Sequence, residues 1–228
     1  MKEYTMKISK STVDVLKNFA SINPSMLFTA GAELKTVSPQ KTVFAKAKIE
    51  DTIDTEFGVF DLSQFIGVLS DYENPDITVS DTFISISNGS GDISDIVRAK
   101  AELLPSLPTK EVTLPSVDVA FVLEAAKLQR ALRQASLLAL PEIALLGEHG
   151  SAYFCAIDSR SDSTNRFKSP VGKAEKNYRM IFKVDNLKVM GGKDYDVKAS
   201  SRGIAYFAST DGSCHYWVAT ESGSSFDS

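Results

Sequence analysis

A chain of 228 residues accommodates one large domain or two of about 100 residues each, and its 43% hydrophobic content is ordinary for a soluble globular protein. The formal net charge of −4 argues against attachment to nucleic acid by bulk charge, so any such role depends on where the bases sit. No apolar run approaches the roughly 20 residues that a membrane span needs and no signal peptide is visible at Met1, which makes a cytoplasmic setting the default expectation.

In chain order, one unit recurs four times: a strand, a short amphipathic helix, then three short strands with period-two alternation. The first unit has a strand at Thr5–Ile8, a helix over Lys10–Ile22 and strands at Met26–Ala30, Glu33–Val37 and Thr42–Ile49. In the last of these Val43, Ala45, Ala47 and Ile49 point one way and Phe44, Lys46 and Lys48 the other, as a sheet with one wet face requires. The second unit runs from Glu56 through a helix at Leu62–Asp71, with Asp61 as N-cap, to Ala101. The third starts near Val117, has its helix at Glu124–Leu138 and continues as Glu142–Leu146, Ala152–Ile157 and Thr164–Ser169. The fourth starts near Asn177, has its helix at Asp185–Met190 and closes with Asp194–Ser200, Ile204–Ser209 and His215–Thr220. Asn88-Gly89, Gly147, Gly191-Gly192 and Asp211-Gly212 are expected to supply the positive φ of tight turns.

Residues 102–116 carry Leu103, Leu104 and Leu107 among Pro105, Pro108 and Pro115, a composition that favours extended backbone. This segment reads as a connector between two domains, residues 1–101 and residues 117–228, each built from two units, in an α+β chain. The two cysteines, Cys155 and Cys214, fall in strands without C-x-x-C spacing, as small buried hydrophobes of a reducing compartment do.

Charge is distributed unevenly. Through Lys110 the net charge is −4, and from Glu111 onward it is zero. At about 100° per residue, Leu128, Ala131, Leu132 and Ala135 share one arc of the third helix, with Lys127, Arg130 and Arg133 opposite. In the first helix Val13, Leu16, Phe19 and Ala20 are directed inward while Lys10 and Lys17 face away, and Lys188 lies on the exposed side of the fourth. The second helix has the apolar stripe Leu62, Phe65, Ile66 and Leu69 but no base behind it. Any single base here is expected to be an ordinary solvated residue. Jointly, basic helix faces without stacking aromatics suit phosphate contacts that position without reading sequence. No helix clusters Asn, Gln and Arg for base edges.

Weak, salt-sensitive contact is useful where topology keeps a protein on DNA. Leu16 to Asn23 (LKNFASIN), Val59 to Ser70 (VFDLSQFIGVLS) and His215 to Ser228 (HYWVATESGSSFDS) resemble the DNA polymerase sliding clamps of large T-even-like tailed bacteriophages, a likeness that spans nearly the whole chain. Met1 to Thr5, ahead of the first strand, departs from that pattern. The resemblance implies the DNA-clamp fold: a ring of three identical chains, helices lining the hole and antiparallel sheets outside, with domain edges joining strand to strand between subunits. It implies a clamp-loader ATPase that opens the ring around double-stranded DNA and a replicative DNA polymerase that binds the clamp, in the cytoplasm of the infected host cell. Transferred by position, Lys10, Lys17, Lys127, Arg130, Arg133 and Lys188 face the duplex. A polymerase peptide pocket near the connector points to Leu103, Leu104 and Leu107, which equally suit a segment that pins leucines onto its own sheet.

An enzyme reading finds no positive feature. His149 and His215 lack metal-ligand spacing, and Cys214 beside His215 points to the opposite sheet face. The Asp158 to Asp162 run lacks the glycine and twelfth-position acid of a calcium loop and reads as a polar hairpin. Gly191-Gly192-Lys193 and Gly89-Ser90-Gly91 are too short to cradle phosphates, and Asn88-Gly89-Ser90 reads as a turn. No cofactor, metal or catalytic residue is therefore expected. The competing class is a structural or adaptor assembly protein of a virus that uses the same architecture without DNA.

Overall fold

The computed structural model describes residues 3–161 and 163–227, so Met1, Lys2, Asp162 and Ser228, which belong to the N-terminal extension, the polar hairpin and the C-terminal motif, lie outside the described residues. The chain divides into two compact units, Met1–Thr109 and Lys110–Ser228. The division falls within the 102–116 segment, whose start is wound into a 3-10 turn at Ala101–Leu103.

The first unit comprises β1 (Tyr4–Met6), α1 (Lys10–Ala20), β2 (Met26–Phe28), β3 (Gly31–Val37), β4 (Val43–Ile53), β5 (Phe57–Val59), α2 (Leu62–Asp71), β6 (Asp76–Val79), β7 (Phe83–Ser87) and β8 (Ile93–Val97). The repeat is present, but each copy surrenders its first strand to the other. β1 of the first repeat pairs antiparallel with β6 of the second, Thr5 opposite Thr78, in a sheet ordered β1-β6-β7-β8. β5 of the second pairs with β2 of the first, Phe28 opposite Phe57. Neither repeat closes its hydrogen bonds alone, so two repeats fold as one unit. The exchange brings the Phe28 and Phe57 rings to a 4.4 Å stack, with Phe65 of α2 edge-on to Phe28 at 5.8 Å. Leu62, Phe65, Ile66 and Leu69 of α2 are all buried, as their stripe requires. In α1 the buried set is Thr12, Leu16 and Phe19, with Val13 only half-buried. The Thr12 hydroxyl makes the difference, because it bonds within the Ser9 and Asp51 cluster at the helix N-terminus and is satisfied when buried.

The second unit comprises β9 (Val119–Leu123), α3 (Ala125–Leu137), β10 (Glu142–Glu148), β11 (Ser151–Ile157), β12 (Phe167–Lys173), β13 (Tyr178–Lys183), α4 (Val184–Lys188), β14 (Tyr195–Ser200), β15 (Ile204–Ser209), β16 (Cys214–Ala219) and β17 (Ser225–Phe226). The same exchange recurs: β9 pairs with β14 and β13 with β10. One sheet runs β12-β11-β10-β13-β17 and the other places β9, β14, β15 and β16 in that order. Tyr195, Phe207 and Tyr216 lock the second sheet's inner face through edge contacts at 6.4 and 6.0 Å.

Three local expectations are corrected. The strand placed at Thr164–Ser169 lies at Phe167–Lys173, since Pro170 is tolerated where a strand is the last in its sheet and the register shifts opposite Ala152 and Tyr153. Gly147 is no turn residue. It sits inside β10, where an added Cβ would lie 2.5 Å from the Tyr178 ring, and the turn is made by His149 (φ 50) and Gly150 (φ 80). Gly191 and Gly192 also lack positive φ, unlike Gly89 and Gly212.

Candidate nucleic-acid interface

α1, α2 and α3 are each fixed at their start by a side-chain cap, while the first amide of α4 bonds the Pro141 carbonyl at 3.0 Å. Ser9 caps α1, accepting from the Thr12 amide at 3.3 Å, while Asp51 of β4 accepts from the Ser9 amide at 2.8 Å and hydroxyl at 2.7 Å. Burial works to raise the pKa of the Asp51 carboxyl, but hydrogen bonds from Thr12 and Ser9 outweigh it and the net direction is down. Asp61 caps α2 through the Gln64 amide at 2.8 Å. On α3 the cap comes from the residue just before β14, Asp194, which accepts from the Ala125 amide at 2.7 Å.

With the helices so anchored, their outward faces carry the bases that the sequence singles out. Lys10 and Lys17 are exposed on α1, Arg130 and Arg133 on α3 and Lys188 on α4, while Lys127 is half-buried. Leu128, Ala131, Leu132 and Ala135 are buried on the opposite side of α3. The Arg130 guanidinium lies 5.9 Å from the centre of the Phe167 ring of β12, which orients it. Leu137, 69% exposed, extends the same face one turn beyond Arg133. α2 presents Ser63, Gln64, Gly67 and Ser70 outward and no base.

Lys17 pairs with Asp14 at 3.2 Å, Lys127 with Glu124 at 3.3 Å and Lys188 with Asp185 at 3.2 Å, each acid three residues before its lysine. Reading the sequence for bases alone misses these acids, though the i,i+3 spacing that signals them is visible in it.

The connector leucines do not share one environment. Leu103 is 64% exposed, Leu104 is buried and Leu107 is half-buried. Gly58 leaves the room for Leu104: a Cβ there would lie 2.6 Å from the Leu104 Cδ1. Two sheet edges also differ in charge. β8, last in its sheet, exposes Ile93 and Val97 beside Asp92 and Asp95. β12, last in its own, carries Lys168 and Lys173 with Arg166 just before it. Lys168 pairs with Glu148, holding that carboxyl below its ordinary range, and lies over the Tyr153 ring at 3.7 Å.

The arrangement offers little to covalent chemistry. A 530 Å³ cavity of the second unit is lined in part by Leu146, Cys155, Ile157 and Arg179, but burial pushes the Cys155 thiol up to about 11, which leaves almost no thiolate at neutral pH. His215 shares a 2.7 Å hydrogen bond with the Tyr206 hydroxyl and stacks on its ring. Among the described residues no three His, Cys, Asp or Glu side chains are grouped to hold a metal ion. No described helix is long and apolar enough to cross a membrane.

Two units, each of two strand-exchanged repeats with a basic helix face behind antiparallel sheets, define a DNA-clamp fold. Solved structures agree on the fold: A. fulgidus PCNA, in a structure with the C-terminal region of FEN-1 bound, superposes with a TM-score of 0.67 at 14% identity, covering 97% of this chain and 98% of that one. A putative DNA polymerase III beta subunit from Eubacterium rectale gives 0.70 at 11%, covering 97% of this chain and 66% of that one. In sequence, residues 7–98 match the DNA polymerase processivity factor family. The sliding clamp of Vibrio phage KVP40 is 32% identical over 222 residues, covering 95% of this chain and 99% of that protein. Those of Escherichia phage RB69 and Enterobacteria phage T4 are 29% and 27% identical, with 97% of this chain covered and all of each relative. The chain belongs to the sliding-clamp family of T-even-like phages.

Proposed function

We propose that this protein encircles duplex DNA as a ring of three identical chains and tethers the replicative DNA polymerase for processive synthesis. It does so without catalysis of its own, in the cytoplasm of the infected host cell, after a clamp-loader ATPase opens the ring. Each chain contributes two domains, residues 1–101 and residues 117–228, joined by the connector at 102–116. The observation that carries the reading is the recurrence of an exposed basic face on α1, α3 and α4, with the apolar face of each helix buried. Lys10, Lys17, Lys127, Arg130, Arg133 and Lys188 are the DNA-facing set, and their contacts are with phosphates, without regard to sequence. The ring closes where the β8 edge of one chain meets the β12 edge of the next. Acidic β8 and basic β12 complement each other in charge, and pairing them hides two edges that would otherwise aggregate.

Light scattering across a micromolar series tests the ring directly. Three chains of 24.8 kDa give a species of about 74 kDa, rising in population with concentration. A monomer at every concentration sinks the trimer, whereas a stable assembly that leaves polymerase processivity unchanged marks an assembly protein without clamp activity.

For the polymerase peptide, exposed Leu103 and half-buried Leu107 are the contacts, while Leu104 anchors the connector to its own unit beside Gly58. Leu103→Ser with Leu107→Ser is expected to weaken binding of a polymerase C-terminal peptide about tenfold or more without lowering the melting temperature, on the scale of truncating apolar side chains at an interface. Unchanged affinity in the folded variant assigns these leucines to covering the protein's own surface.

A further inference from the structure

Of the six bases proposed to face DNA, three already hold a carboxylate. Asp14–Lys17, Glu124–Lys127 and Asp185–Lys188 lie on three different helices or their caps, with the same spacing and N···O separations of 3.2, 3.3 and 3.2 Å. The acids are open to solvent, at 62%, 59% and 87% side-chain exposure, so the pairs are not products of burial. Lys10, Arg130 and Arg133 make no ion pair among the described residues. α2, which lacks an outward base, has a single acid, Asp71 at its last position, with no base three residues beyond it. Every lysine past the first residue of a helix therefore has an acid one turn before it.

We infer that Asp14, Glu124 and Asp185 are positioning residues that hold DNA contact weak, so that the ring slides instead of gripping. The inference rests on the helix faces being the DNA surface. A free lysine that meets a phosphate releases condensed counterions and gains their entropy. A lysine already neutralised at about 3 Å must give up its carboxylate first, and the freed carboxylate then repels the same phosphate. The contact becomes an exchange of one anion for another, with little net gain. Along a duplex each lysine can pass between its own carboxylate and successive phosphates, which flattens the energy profile for sliding. Lys10, Arg130 and Arg133 keep the direct attraction, so the face remains attractive overall.

The test neutralises the acids without changing their shape, as D14N/E124Q/D185N in the full chain. Binding to a 30-bp duplex is measured by fluorescence anisotropy from 20 to 200 mM KCl. A control variant, E3Q/E73Q/E175Q, removes three exposed acids that lie on none of the four helices and corrects for net charge. The helix variant is expected to bind about tenfold more tightly than the control at 50 mM KCl, with a log K against log salt slope steeper by about 1 to 3 per chain. Loaded on long DNA, it is expected to diffuse several-fold more slowly. Equal affinity and slope for helix and control variants, while K17A/K127A/K188A lowers affinity, overturn the damping role and leave the DNA surface standing. If the lysine variant also binds as wild type, the helix faces are not the DNA surface and both readings fall.

Discussion

Replacing Lys10, Lys17, Lys127, Arg130, Arg133 and Lys188 together by Ala is expected to lower affinity for a non-specific duplex by at least about 100-fold at 50 mM salt and to flatten its salt dependence by several units, at about 0.9 per phosphate contact. These side chains occupy the outward faces of helices whose inward faces, Leu16 and Phe19 on α1 and Leu128 and Ala135 on α3, are fully buried. Removing the charges leaves those buried faces untouched, so the variant should melt close to wild type, lowered only by the lost Arg130–Phe167 contact and the exposed ion pairs. Arg130→Ala also removes the guanidinium from the Phe167 ring, and Arg130→Lys restores only charge, so a partial recovery by lysine separates the two contributions. Retention on circular primed DNA and product length with the polymerase are the functional readouts. Wild-type retention in a folded six-fold variant removes these residues from the DNA surface.

Much of this architecture is legible in the chain because it is local. Period-two alternation marks the strands, and the Leu62, Phe65, Ile66, Leu69 stripe marks α2 to the residue. What alternation cannot carry is partnership. That β1 pairs with β6 and β5 with β2 is decided by contacts dozens of residues apart, and nothing in either strand's own sequence names its neighbour. Gly147 shows the same limit on the scale of one atom. A glycine that follows two leucines and precedes Glu148-His149-Gly150 reads as the start of a turn, and only the position of the Tyr178 ring explains why β10 needs the missing side chain. The basic faces of α1, α3 and α4 are legible from helical spacing alone. Their carboxylate partners are equally present in the sequence, but attention to like charges hides pairs of opposite charge one turn apart.

The strand exchange also predicts which single core substitution does most harm. Phe65 of α2 is fully buried against both Phe28 and Phe57, rings that belong to different strands, β2 of the first repeat and β5 of the second. Phe65→Ala should therefore cost about 3 to 5 kcal/mol, transfer and cavity together, out of a typical total of about 5 to 15. Its effect should concentrate in the first unit, because the cavity opens where the two repeats of that unit interlock. Hydrogen exchange is the discriminating measurement: protection should fall across β2, β5 and α2 while β10, β11 and β14 of the second unit keep theirs. Phe65→Leu, which keeps most of the volume, should recover the larger part of the stability. A melting temperature within a degree of wild type for Phe65→Ala, with exchange unchanged in β2 and β5, contradicts the stapling role. If the destabilisation appears as expected, the Lys10 and Lys17 face of α1 goes with it, since α1 packs on α2 and β4 and owes its orientation to them. Weaker DNA binding in that variant would then trace to the ring stack, although no basic residue has been changed.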